Sequence, residues 1–258
     1  MKPYLTLEYP LRFAHRGSCL LWPENTMTAF QGAVDLGYRY LESDLHVSRD
    51  GKVVMFHDDT LERLTDGSGR FWDRDWDELR RLDAGHRFEP GSGYPWRGRG
   101  LRMPLLEEAV TAFPGIAFNL DLKQPGIEAA VAAEIRRLGV EDLVMIGSFH
   151  DVRIRRFRDI AAGSVATSAG PGELGRAVAA ARVGRPALGP ADALQVPGRL
   201  ATRRLIEAAH RAGKQVHAWT INEPEAMRRL LTRGVDGIMS DRPDLLRDVV
   251  AEFRAAPG

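Results

Sequence analysis

The chain has 258 residues, 36 Lys plus Arg against 35 Asp plus Glu, 44% apolar residues and one cysteine. A chain this long buries roughly 70–75% of its unfolded surface and needs neither disulfide nor metal to fold. Cys19 has no intrachain partner, which excludes a disulfide framework and makes the cytoplasm the expected compartment, and a net charge of +1 excludes a nucleic-acid binder built on a bulk positive field.

Residues 1–13 are interrupted by Pro3, Glu8, Pro10 and Arg12, so they hold no apolar targeting region. From there, short apolar runs alternate with longer amphipathic ones. Strands are expected at 12–14 and 40–45 with a helix at 25–35 between them, then a strand at 53–57 and a helix at 77–82. Residues 85–100 (GHRFEPGSGYPWRGRG) form one long irregular loop, and such loops are either functional or solvated connectors. Strands at 116–122, 143–148, 164–167, 193–196, 216–220 and 237–239 follow. Helices at 127–138, 151–160, 172–181, 202–211 and 224–233 lie between them. No apolar stretch approaches a membrane span, so no stable membrane anchor is expected.

This β-then-α alternation predicts parallel strands with crossover helices. Seven crossovers favour a single-domain TIM (β/α)₈ barrel over residues 1–258, rather than an open doubly wound sheet. No GxGxxG follows the first strand. Nine strand candidates compete for eight barrel places, and the link from Leu45 to Lys52 is too short for a helix. Eight extended residues reach roughly 26 Å, enough to return down a barrel, and the Arg49-Asp50-Gly51 turn equally allows an antiparallel hairpin. Asn25 and Asn222, each just before a helical stretch, read as N-caps.

Side chains at the carboxyl ends of barrel strands converge on one face. There the sequence places His15-Arg16, Glu42 and Asp44, His57-Asp58, Asn119, Asp121, Lys123 and Trp219. Glu42 and Asp44 are two apart, so on a strand they point the same way. Together with Asp121 they offer three hard oxygen donors, which suit Mg²⁺ or Ca²⁺; the plainer alternative pairs them with Arg16 and Lys123. His15 and His57 are the best proton handlers, while His46, His86, His150, His210 and His217 read as structural. Arg16 offers bidentate recognition of an anion and Lys123 a second positive donor. Trp219 is either a wall for a glycerol-like group or a rim aromatic, and Asn119 either orients a ligand or is a satisfied barrel polar. Anion donors, an acid nest and two acid–base groups suit a phosphate ester.

In order, these residues resemble the glycerophosphodiester phosphodiesterase family. The matching segments are AHRGSCLLWPENTMTAF at 14–30, YLESDLHVSRDGKVVMFHDDTLERLTDGSG at 40–69, ELRRLDAGHRF at 78–88, MPLLEEAV at 103–110, FNLDLK at 118–123, VHAWTINEPEAM at 216–227 and GVDGIMSDRPD at 234–244. The resemblance implies a TIM barrel that hydrolyses glycerophosphodiesters to glycerol 3-phosphate and an alcohol with one divalent cation. It implies His15 and His57 as the acid–base pair and Arg16 on the phosphate, with Lys123 near it. Glu42, Asp44 and Asp121 would bind metal, and Trp219 would lie by the glycerol. Family members usually carry Glu where this chain has Asp121, one methylene shorter. Two other functions remain in view: a lysophospholipase D-type enzyme acting on lysolipids, and a non-catalytic phosphate-ester binding module. The loop at 85–100, with Arg87, Phe88, Tyr94, Trp96, Arg97 and Arg99, is the candidate source of substrate preference.

Overall fold

Nine strands form the sheet of the computed structural model, which describes residues 2–91 and 93–255. They are β1 (Leu11–Ala14), β2 (Tyr40–Val47), β3 (Val53–Met55), β4 (Ala117–Leu122), β5 (Val144–Gly147), β6 (Ala166–Thr167), β7 (Ala193–Pro197), β8 (Gln215–Trp219) and β9 (Gly237–Ser240). Eight run parallel in the order β6-β5-β4-β2-β1-β9-β8-β7, and a parallel bridge between Ser168 and Ala193 brings the two ends together. The expected (β/α)₈ barrel is therefore present. Its strands are short and buried on both faces, as parallel strands under helices must be.

β3 is the strand without a barrel place. It pairs antiparallel with the upper end of β2, Leu45 opposite Met55 and Val47 opposite Val53. The reason lies in β1, which pairs with β2 only at Tyr40 and Leu41 and then turns away. The edge of β2 so vacated is taken by the returning chain, and the short 45–52 link closes a hairpin. Because β3 runs downward, it delivers His57 onto the barrel mouth from above.

The helices are α1 (Met27–Asp35), α2 (Trp76–Leu79), α3 (Leu106–Ala112), α4 (Glu128–Leu138), α5 (Asp151–Ala161), α6 (Pro171–Arg182), α7 (Arg203–His210), α8 (Pro224–Arg233) and α9 (Pro243–Ala255). Each lays one stripe on the barrel; in α8 the stripe is Met227, Leu230 and Leu231, at the i, i+3, i+4 spacing of one helical face. Each such side chain contributes about 1.5–3 kcal/mol of apolar burial. α3 and α9 were not anticipated as separate helices. No helix among the described residues is long and apolar enough to cross a membrane.

Inward-facing side chains change character up the barrel. At the lower end Phe13, Tyr40, Ala117, Met145 and Ala193 pack with Tyr4 and Leu5 into an apolar plug. Two and four residues further along β2 the same column carries Glu42 and Asp44, and along β4 it carries Asn119 and Asp121, with Glu42 beside Asn119 and Asp44 beside Asp121. The period of two that fills the core below thus builds a charged layer above.

The described residues of 85–100 contain turns but no helix or strand; Ser92 within this loop lies outside the described residues. Gly98 N–H donates to Asp83 Oδ2 at 2.7 Å, and Arg97 stacks 3.7 Å from the Tyr94 ring centroid.

Candidate active site

The first site element is the turn after β1. Arg16 adopts a left-handed conformation (φ 51°, ψ 30°) and Gly17 follows at φ 78°. A Cβ on Gly17 would lie 2.8 Å from both the carbonyl carbon and the Cβ of Ala29 in α1. Glycine is therefore what lets this turn rest on the helix and hold His15 and Arg16 at the mouth. Gly17→Ala is expected to cost about 2–3 kcal/mol through backbone strain and overpacking, read as a lowered midpoint in urea. An unchanged midpoint would mean the turn relaxes freely.

Five charged groups from three elements then meet: Arg16 of this turn, Glu42 and Asp44 of β2, and Asp121 and Lys123 at the end of β4. Asp44, 1% exposed, lies with Oδ1 3.0 Å from Lys123 Nζ and Oδ2 3.3 Å from Arg16 Nε, and accepts a hydrogen bond from Asn25 Nδ2 at 3.0 Å. Burial opposes its charge, but Lys123 and Arg16 outweigh that and hold its carboxyl well below the usual range. Lys123 Nζ also lies 2.7 Å from Asp121 Oδ2; burial would lower the ammonium pKa, and the two carboxylates raise it instead. Glu42 behaves oppositely. Burial, reinforced by neighbouring Asp44, pushes its carboxyl up despite His15, Arg16 and Lys123. Its Oε2 accepts the Arg16 backbone N–H at 3.0 Å. The Arg16 guanidinium is bonded to Glu24 Oε1 at 2.8 Å, while its Nε, near Asp44, makes no hydrogen bond.

The acids are therefore paired with Arg16 and Lys123, as the plainer alternative expected, yet they also retain a metal-binding character. Three buried carboxylates lie around one ammonium, so the acids outnumber it, and Glu42 is poorly compensated. An all-oxygen donor set of this kind fits a hard divalent cation. Its oxygens do not converge as a set: among the described residues the single three-residue group within 4.8 Å of one another is His15, Cys19 and Asp241.

Both histidines are held at Nδ1 by a carboxylate. His15 Nδ1 lies 2.5 Å from Asp241 Oδ1, and its Nε2 is 3.7 Å from Glu42 Oε2. Burial acts to lower its pKa, but Glu42 and the Asp241 hydrogen bond overcome this and the net shift is upward. His57 Nδ1 lies 2.5 Å from Asp58 Oδ1, and Asp58 is gripped by Arg63 at 2.5 and 2.8 Å. Arg63 also reaches Glu24, tying the β3 side of the mouth to the PENT segment.

These groups open onto one cavity of about 380 Å³, lined by His15, Arg16, Glu42, Asp44, His57, Asn119, Asp121, Lys123 and Trp219. All the predicted site residues are thus brought together. Away from the charged layer the wall is uncharged: Phe149, Ala169, Pro171, Leu174, Pro197 and Leu200. Trp219 meets Phe149 edge to face at 5.5 Å. Asn119 Oδ1 accepts from Gln195 Nε2 at 2.7 Å, so it is a satisfied barrel polar as well as a lining residue. Among the described residues none of 85–100 lines the cavity. Of the histidines read as structural, His217 is fully buried against Phe13, and burial pulls its pKa down to about 3. His46 is stacked on Trp72.

Two assignments need correction. Asn25 does not cap α1; Thr26 does, its Oγ1 accepting from Ala29 N at 3.2 Å. Asn25 instead takes a left-handed conformation (φ 53°), bonds Asp44 and accepts from Ser43 Oγ at 2.8 Å. Asn222 does not cap α8, where Glu223 holds the cap position; its amide bonds Asp241. Both side chains are drawn from helix ends to buried carboxylates, where an unpaired acid would cost more than an uncapped helix. Glu24, Arg63 and Asp241 were missed, although PENT, TLERL and SDRPD are all segments of the family resemblance.

Comparison with known proteins agrees with this geometry. The model of the glycerophosphoryl diester phosphodiesterase family matches residues 15–245. The chain is 37% identical over 251 residues, covering 93% of itself and 90% of its relative, to Probable glycerophosphodiester phosphodiesterase 2 of Mycobacterium tuberculosis. It is 31% identical to a glycerophosphodiester phosphodiesterase of Bacillus altitudinis, over 90% of this chain and 94% of that one. Its fold superposes with a TM-score of 0.76 and 25% identity on an Oleispira antarctica phosphodiesterase in complex with the product sn-glycerol-3-phosphate, covering 94% of this chain and 97% of that one.

Proposed function

The chain belongs to the glycerophosphoryl diester phosphodiesterase family, and from that premise we propose that it releases glycerol 3-phosphate from glycerophosphodiesters by two-histidine acid–base catalysis. The observation that carries this reading is the pair His15 and His57, each tied at Nδ1 to a carboxylate and both lining the cavity that holds Arg16 and Lys123. A neutral imidazole bonded through Nδ1–H keeps its Nε2 lone pair for proton transfer.

Arg16 and Lys123 bind the diester's anionic oxygens. One histidine takes a proton from the attacking oxygen as the new O–P bond forms; that oxygen is either water's, giving glycerol 3-phosphate directly, or the glycerol 2-hydroxyl's, giving a cyclic phosphate that water then opens in a second pair of proton transfers. The other gives its proton to the leaving alcohol oxygen as the old P–O bond breaks, so the two proton transfers balance. A divalent cation, Mg²⁺ or Ca²⁺, held by Glu42, Asp44 and Asp121 would supply further positive charge to the phosphoryl oxygens. Trp219 and Phe149 form a wall for the glycerol. The single cysteine supports a cytoplasmic site of action.

A second reading, hydrolysis of lysolipids, is favoured by one observation: the uncharged wall of Pro171, Leu174, Pro197 and Leu200 suits an alkyl chain better than a cationic head group. One experiment separates the readings. Glycerophosphocholine, glycerophosphoethanolamine, glycerophosphoglycerol, glycerophosphoinositol and lysolipids are incubated with Mg²⁺, Ca²⁺ or EDTA, and the phosphomonoester is identified. The expected result is glycerol 3-phosphate from at least one diester, with EDTA removing activity. Lysophosphatidic acid from lysolipids alone would select the second reading, and no phosphomonoester at all would remove both.

A further inference from the structure

Asp241 stands just past the end of β9, 226 residues from His15 in sequence, and the chemistry above uses it only as the carboxylate at His15 Nδ1. We propose that Asp241, locked in place by Asn222, is the positioning residue that fixes His15 with its proton on Nδ1 and Nε2 bare toward the cavity. The inference rests on the reading that His15 moves a proton in the reaction.

The carboxylate is held from behind. Asn222 Nδ2 donates to Asp241 Oδ2 at 2.8 Å, and Asn222 Oδ1 accepts from the Asp241 backbone N–H at 2.9 Å and from Ser240 Oγ at 3.1 Å. Ser18 Oγ anchors the Asp241 carbonyl at 2.7 Å. With Oδ2 engaged, Oδ1 is left to face His15 Nδ1 at 2.5 Å and the Cys19 thiol at 2.9 Å. An ionised carboxylate only accepts hydrogen bonds, so Nδ1 must donate, and the neutral ring then has its lone pair on Nε2. That atom lies 3.7 Å from Glu42 Oε2, too far for a direct hydrogen bond.

The other histidine shows what is particular here. Asp58 beside His57 is neutralised by Arg63. Asp241 has no Arg or Lys within ion-pair distance among the described residues, and the His15 imidazole is its one partner that can become positive. Its negative charge therefore favours the imidazolium of His15, while the Cys19 thiol beside it is kept protonated. Burial works to raise the Asp241 carboxyl, but the hydrogen bonds from His15, Cys19 and Asn222 hold it at about 2, so it remains an acceptor throughout the neutral range.

The test compares Asp241→Asn, His15→Gln and the double variant under saturating metal. An amide can present either N–H or C=O to Nδ1 and no longer enforces one tautomer. Asp241→Asn is expected to lower kcat by about 10–100-fold with KM and the melting temperature little changed. The double variant is expected to be no slower than His15→Gln, because the effect passes through that ring. In the wild-type protein, the imidazole nitrogen resonances of His15 should report Nδ1 protonated in the neutral form. Wild-type kcat in Asp241→Asn, a further loss in the double variant, or a neutral ring protonated at Nε2 would overturn the proposal. Full activity in His15→Gln would instead overturn the reading beneath it.

Discussion

Replacing His15 or His57 with alanine is expected to lower kcat by about 10²–10⁴-fold, the range for a lost general acid or base, without unfolding the protein. Neither side chain is a core element: they are 17% and 29% exposed and both face the cavity. Their removal also leaves no acid without a partner: Glu42 loses the His15 ring but keeps the Arg16 backbone N–H at 3.0 Å. Asp241 keeps Asn222 and Cys19, and Asp58 keeps Arg63, so the stability loss should stay near 1 kcal/mol. Substrate affinity should change little, because Arg16 and Lys123 carry the anion. Steady-state kinetics on a diester, with thermal melts of the same samples, check both halves. Turnover near that of the parent in either variant would remove that histidine from the mechanism.

The same variants test how the site is encoded. Glu42, Asp44, Asn119 and Asp121 were legible in the sequence because a strand has period two. Once 40–45 and 116–122 read as parallel strands ending at the same barrel face, their alternate residues were expected to share the barrel interior. His15 and Arg16 were legible as the end of the first strand. His57 was legible as a residue but not as a position. Its strand is antiparallel: the Arg49-Asp50-Gly51 turn allowed that hairpin without requiring it, and what decides it, β1 leaving the edge of β2 after Leu41, is a long-range event. Asn25 and Asn222 were misread for a related reason. An asparagine before a helix has a local partner in the helix end and a distant one in a buried carboxylate, and only the fold reveals that Asp44 and Asp241 are within reach. Asp241 itself, in SDRPD, has the local look of a residue opening the last helix. The loop at 85–100 is a different case. Its arginines and aromatics resemble a binding surface, but Gly98 is tied to Asp83 and Arg97 stacks on Tyr94, and among the described residues none of the loop lines the cavity.

Asp44 is the residue whose loss should do most damage, and the argument is electrostatic. It is buried between Arg16 and Lys123, both themselves largely buried, and it takes the Asn25 amide as well. Removing one partner of a buried ion pair costs about 3–5 kcal/mol, because the remaining charge has neither water nor counter-charge. Here Lys123 keeps Asp121 and Arg16 keeps Glu24, so Asp44→Asn should fall at the low end, about 3 kcal/mol. In a chain of this size that lowers the melting temperature by about 6–12 °C, measured in chelator so that metal does not mask the ion pairs. Adding Lys123→Met to Asp44→Asn should cost further stability rather than restore it, since Asp121 then loses its ammonium as well. Catalysis should fall with it, because a donor to the diester and part of the acid nest are then both gone. A melt of Asp44→Asn within about 2 °C of the parent, well under the shift expected for an orphaned buried charge, would show that solvent reaches this cluster freely. The acids would then act as rim charges, and the case for a desolvated phosphate site would fall with the stability argument.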